Sequence, residues 1–144
     1  MVSSGRLTRL PDWRARFAAE MDRQRCLPFA WGRQDCVIGL ACGAVEAITG
    51  ADLAVGWRSK YKSPKSALKA LRAKGYDGVA ELVAGHLPEI EPALARIGDL
   101  ALIEDDGPLG HAIGIVDASG LIVITETGHG RAPRDRMTRA FQVG

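Results

Sequence analysis

Long apolar runs are missing from these 144 residues, and nothing approaches the length needed to cross a bilayer. The opening Met1 to Arg9 is polar and basic and leads into alternating charges, so no secretory signal is expected. That implies synthesis in the cytoplasm and no export by the general secretory route. Cysteine is scarce: Cys26, Cys36 and Cys42 form an odd, sparse set that excludes a disulfide framework and leaves at least one thiol free. No Cys-x-x-Cys pair occurs, and His86, His111 and His129 lack the short spacing of a zinc site, so neither a metal nor another cofactor is expected. A dominant charge sign is also missing. The net charge of +2 gives no general case for nucleic acid or a membrane as partner. Cations do gather locally, at Arg58, Lys60, Lys62, Lys65, Lys69, Arg72 and Lys74 and again at Arg131, Arg134, Arg136 and Arg139. Such runs are solvated faces, or contacts with an anionic polymer or an acidic partner surface.

What remains is the composition of one globular domain, residues 1–144. Its centre is the stretch Pro28-Phe29-Ala30-Trp31-Gly32-Arg33-Gln34-Asp35-Cys36, which runs into apolar positions 37, 40, 41, 44, 45 and 48 at helical spacing. Asp35 is the expected N-cap of this helix. Cys36 then stands where the positive end of the helix dipole favours a thiolate, one of the environments that lower a thiol pKa. The alternative is a small apolar residue filling helix space.

Ahead of it, Trp13, Phe17 and Met21 form one apolar stripe on a helix that follows Pro11 and ends at Leu27-Pro28. Gly50 suits a left-handed C-cap of the central helix. Residues 51–62 read as an irregular connection anchored by Trp57 and Tyr61. Ser63-Pro64 caps a third helix that Gly75 stops, and a fourth fits Val79 to Leu87, with His86 as a surface or capping residue. The pattern then turns to strands: Leu100 to Ile103, Ala112 to Val116, Leu121 to Thr125 and Thr138 to Val143. Asp117-Ala118-Ser119-Gly120 is too tight for anything but an antiparallel hairpin. Helices first and an antiparallel sheet after them make an α+β fold, with the helices packed on the C-terminal sheet.

A cysteine nucleophile needs a base in reach and a third group to orient that base. His111, at the start of a strand, is the stronger candidate base, and His129, in an expected flexible loop between two glycines, the weaker. Thr125, Glu126, Thr127 and Gln142 are all open as the third group.

Asp35-Cys36 followed by a helix, Gly98-Asp99-Leu100 opening a strand, and a His111 strand containing Gly114-Ile115 together resemble the NlpC-type cysteine endopeptidases of the papain-like superfamily. The resemblance spans roughly Phe29 to Val143. It implies that fold, a hydrolase acting on peptidoglycan peptides, Cys36 as nucleophile, His111 as base, and support from Asp35 and Thr125. Backbone N–H groups at the start of the central helix would hold the oxyanion. More closely, Asp12-Trp13, Pro28-Phe29, Trp31-Gly32, Asp35-Cys36, Thr49-Gly50-Ala51-Asp52, Trp57-Arg58, Tyr61 and Leu68 to Gly75 resemble a subgroup from prophage and phage tail gene regions, without assigned activity. That implies phage tail proteins as partners and incorporation into a virion.

The sequence departs from the peptidase pattern twice. His111 stands three residues before Gly114 instead of two, which by strand alternation turns it from the peptidase histidine's face and gives that place to Ala112. Phe29 falls where the peptidases carry a tyrosine. Apolar Val123 and Ile124 also lie near the expected position of the next polar residue. The readings left open are a cell-wall endopeptidase, a catalytically degenerate copy serving as a structural or assembly component of a phage tail, and a thiol-based transferase or deamidase.

Overall fold

The computed structural model describes residues 6–144, so the part of the leader reading that rests on residues 1–5 lies outside the described residues. The fold is α+β. α1 (Trp13–Gln24) buries Phe17, Met21 and Gln24, so the apolar stripe continues into a polar residue. Trp13 is half-buried under the guanidinium groups of Arg9 and Arg14, 4.2 and 4.6 Å from its ring centre. Pro11 lies in the turn before the helix rather than within its first turn.

The central helix has two parts. Cys36–Ala41 is a π segment, and α2 (Cys42–Thr49) continues it as α-helix until Gly50, in the left-handed conformation (φ 84°), donates its N–H to the Glu46 carbonyl. Periodicity located this helix but could not show its pitch. Gly39 explains why the wide turn is tolerated. A Cβ there would sit 2.7 Å from the Gln34 Cα, so only a glycine lets the preceding loop fold back against the helix. α3 (Pro64–Ala73) starts with a capping box between Ser63 and Ser66 and turns Ala67 and Leu71 inward. α4 (Val79–Ala84) is shorter than expected, with His86 beyond it placing Nδ1 2.8 Å from the Leu82 carbonyl, which fixes the ring proton on Nδ1.

Six strands form one antiparallel sheet in the order β1-β6-β2-β3-β4-β5: β1 (Glu89–Ile90), β2 (Leu100–Glu104), β3 (His111–Asp117), β4 (Gly120–Thr125), β5 (Gly128–Ala132) and β6 (Met137–Phe141). The 117–120 hairpin is as expected. β5 corrects the expectation of a flexible loop at His129. Its Gly-His-Gly composition carries no strand propensity, and backbone pairing with β4 supplies the order.

The helices cover one sheet face. Leu100, Leu102, Ile113, Ile115, Ile122, Phe141 and Val143 join Leu40, Val45 and Ile48 in the main core. Ala101, Ile103, Val116, Leu121, Met137 and Ala140 form a second, smaller cluster with Ala95 on the opposite face. Arg134 closes that side by donating to the carbonyls of Pro92 and Ala95 at 2.9 and 2.7 Å. Burying the larger side chains of these clusters contributes on the order of 1.5–3 kcal/mol each. No described helix is long and apolar enough to cross a membrane.

Candidate functional site

Asp35 organises the first turn of the π segment. It is 2% exposed. Its Oδ1 accepts the N–H groups of Val37 and Ile38 at 3.0 and 2.7 Å, and its carbonyl accepts those of Gly39 and Leu40 at 3.1 and 3.0 Å. Its Oδ2 accepts the Gly32 N–H at 2.9 Å and the Tyr61 hydroxyl at 2.7 Å. The expected N-cap is therefore present and goes further than capping. The Asp35 side chain takes the free N–H groups of Val37 and Ile38, the Gly39 and Leu40 bonds are those of the helix itself, and the Cys36 N–H is not taken by Asp35.

Cys36 sits at this helix mouth, against β3. The π segment packs on β3 and β4, whose pairing extends from Asp117↔Gly120 only to Ile115↔Ile122. Beyond that point the backbone of β3 is free of β4, and the Ile113 N–H on this stretch favours the ionised form of the Cys36 sulfur. The residue is partly buried, yet desolvation of the thiol pushes its pKa up to about 12. The Ile113 N–H pulls the other way, and the Asp35 carboxylate pushes it up further. This corrects the expected thiolate. The helix end that was to stabilise a negative sulfur already holds a negative carboxylate, and the thiol is partly withdrawn from water.

His111 stands at the start of β3, opposite Glu104 of β2. Ile113 and Ile115 belong to the helix-side core, while Gly114 meets Ile103 and Val123 on the far side. Alternation therefore gives His111 the helix-facing side and Ala112 the far one, which reverses the faces expected for them. Half-buried, His111 makes no side-chain hydrogen bond among the described residues. Thr125 shares its strand parity with Leu121 and Val123 of the far cluster, and its hydroxyl donates to the Gly128 carbonyl at 2.8 Å. Thr127 is in the same tight turn, its N–H 3.3 Å from Thr125 Oγ1. Glu126 accepts the Phe29 N–H through its carbonyl, and Gln142 reaches the C-terminal Gly144. None of these four orients a base for Cys36 by any hydrogen bond among the described residues.

His129 belongs to a different network. Gln24, 0% exposed, donates through Nε2 to Glu20 at 2.6 Å and to the Gly39 carbonyl at 2.9 Å. Its Oε1 accepts from Gln34 at 3.0 Å and faces His129 Nε2 at 3.2 Å, so that nitrogen carries the proton. Burial and the nearby Arg25 hold the His129 pKa below its ordinary value. Desolvation works against ionised Glu20, but hydrogen bonds from Arg23 and Gln24 prevail and keep its pKa low. This network fastens α1, the Asp35 loop and β5 to one another. Its sequence signal was available: Gln24 occupies the next stripe position after Phe17 and Met21.

Two cavities beside the central helix are lined by residues other than Cys36. A cleft of about 700 Å³ borders the loop and the helix, with Glu20, Arg33, Gln34, Gly39 and Glu46 in its wall. Cys42 and His86 do share a cavity, of about 50 Å³ and otherwise apolar, with room for no more than a few waters. Desolvation there pushes the Cys42 thiol up to about 12 as well. Among the described residues no group of three His, Cys, Asp or Glu side chains comes together as a metal site.

A family model described as "Domain of unknown function (DUF6950)" matches residues 8–143. The chain belongs to that family. The match takes in α1, the Asp35-Cys36 helix mouth and the whole sheet, so the capped first turn lies inside the family domain. Neither the curated proteins nor the solved structures contain a match to the chain.

Proposed function

We propose that this protein is a non-hydrolysing domain of the NlpC-like, papain-like type, and that it serves as a structural or assembly component of a phage tail. The reading is supported by the surroundings of Cys36: a half-buried thiol that desolvation and the Asp35 carboxylate push towards its neutral form, and a His111 that makes no side-chain hydrogen bond among the described residues. A nucleophile of this class needs a populated thiolate and a base within hydrogen-bond reach. The papain-like reading is supported by the order of helices and sheet and by a cysteine at the mouth of the central helix, packed on β3. The tail context rests on the sequence resemblance.

A second reading, a cysteine endopeptidase on cell-wall peptides with His111 as base, is favoured by one observation: His111 shares the helix-facing side of β3 with Ile113, whose N–H favours the ionised form of the Cys36 sulfur. Incubation of the protein with purified peptidoglycan, followed by mass spectrometry of released peptides, separates the two. The expected result is no release above that of Cys36→Ala. Release that depends on both Cys36 and His111 would overturn the non-hydrolysing reading.

A further inference from the structure

We infer that residues 53–76 form a binding face for the phosphate backbone of double-stranded nucleic acid. The segment holds seven of the chain's 19 lysines and arginines and none of its 17 aspartates and glutamates, a concentration that the near balance over the whole chain conceals. All seven cations are exposed. Arg58 is paired with Asp52, and Lys74 lies 4.5 Å from the centre of the Trp57 ring. Lys60, Lys62, Lys65, Lys69 and Arg72 make no ion pair among the described residues.

Four of these five form a row. With Ala67 and Leu71 of α3 buried, Lys65, Lys69 and Arg72 fall on the opposite, solvent side, and Lys62 extends the row beyond the capped N-terminus. At 1.5 Å rise per residue the row from Lys65 to Arg72 is about 10 Å long. A duplex presents one negative charge per about 1.7 Å of axis, so several phosphates lie within reach of one such row.

The partner class follows from what the face lacks. A stable protein interface needs an apolar, desolvated centre and is depleted in lysine. At an anionic membrane surface a basic row gains affinity from each cation, and firm membrane contacts add inserted apolar side chains to it. Here Val55 is the one exposed large hydrophobic residue, while Trp57 and Tyr61 are buried. Charge alone must supply the affinity, and that suffices for a nucleic-acid backbone. With no exposed aromatic ring to stack on unpaired bases, the binding is to duplex and independent of its sequence.

Fluorescence anisotropy of a labelled mixed-sequence DNA duplex, titrated with the protein between roughly 50 and 200 mM salt, tests this. Five unpaired cations predict a slope of log affinity against log salt of about −4.5, and Lys65→Gln/Lys69→Gln/Arg72→Gln should bring it to about −2 with a loss of affinity on the order of tenfold or more. These side chains face solvent, so the variant should keep the parent's circular dichroism. Arg25→Gln/Arg136→Gln, on other elements, should bind as the parent does. Absence of binding at the lowest salt would overturn the proposal, as would equal losses in both variants. So would preferential binding to poly-glutamate of matched charge or to phosphatidylserine vesicles, which would assign the face to an acidic protein or a membrane.

Discussion

Two buried aspartates, Asp35 and Asp99, are held in different ways, and the difference explains what each does. Asp99, 0% exposed, accepts the Val143 N–H at 3.0 Å and the Arg96 N–H at 2.9 Å, and its charge is met by Arg9 at 2.9 Å. Arg9 also donates to the carbonyls of Ile97 and Val143 at 2.7 and 2.8 Å, so this pair ties the segment before α1 to the turn ahead of β2 and to the residues that follow β6. Asp35 is equally enclosed and equally well hydrogen-bonded, but all its partners are neutral: backbone N–H groups and the Tyr61 hydroxyl. A carboxylate neutralised by a guanidinium exerts little net charge on its surroundings. One held by dipoles still exerts its charge on its neighbours. Cys36 and Tyr61 both register it, since Asp35 raises the pKa of each on top of desolvation.

Removing the charge from each aspartate should separate the two roles. Asp99→Ala leaves Arg9 buried without its counter-ion, and a loss of about 3–5 kcal/mol in urea unfolding is expected, the largest of this set. Asp35→Asn keeps an acceptor for Val37 and Ile38 but presents a donor to the Gly32 N–H, for an expected loss of about 1–3 kcal/mol. The Cys36 thiol pKa should fall in this variant, whereas in a folded Asp99→Asn it should stay where it is. A milder probe is alkaline pH. Thiols of the unfolded chain ionise from about 9.0, whereas those of Cys36 and Cys42 stay protonated in the fold until about 12. Above pH 9 the unfolded state therefore binds fewer protons, so stability that is complete below that pH should be lost progressively as pH rises towards 12. Each thiol contributes at most about 1.4 kcal/mol per pH unit. Stability measured across this range in Cys42→Ala should decline less steeply than in the parent.

Much of this was legible in the sequence where local chemistry decides. The Asp35 cap, the Gly50 C-cap and the Ser63-Pro64 start each follow from one or two residues acting on adjacent backbone, and each stands as expected. Trp57 and Tyr61 are buried anchors, again as expected. The unread features depend on partners distant along the chain. β5 is held by pairing with β4, and Gln24 is a core residue because Glu20, Gly39, Gln34 and His129 converge on it. The pitch of the central helix depends on how Gly39 meets Gln34, which periodicity does not encode. At Cys36 the helix position was right and the predicted electrostatics wrong. The helix dipole acts there together with an anionic cap and with partial burial of the sulfur against β3.

Asp35 and partial burial together favour the neutral thiol at Cys36. The most direct test of this is the pH dependence of iodoacetamide alkylation, resolved by mass spectrometry to Cys26, Cys36 and Cys42, in the parent, Asp35→Asn and His111→Ala. Exposed Cys26 should react first. Cys36 should be almost inert at neutral pH, with a rate still climbing at about pH 10, a midpoint lowered in Asp35→Asn and no change in His111→Ala. A Cys36 rate that reaches its plateau below about pH 8 and collapses in His111→Ala would contradict a neutral thiol and establish a working Cys36–His111 pair.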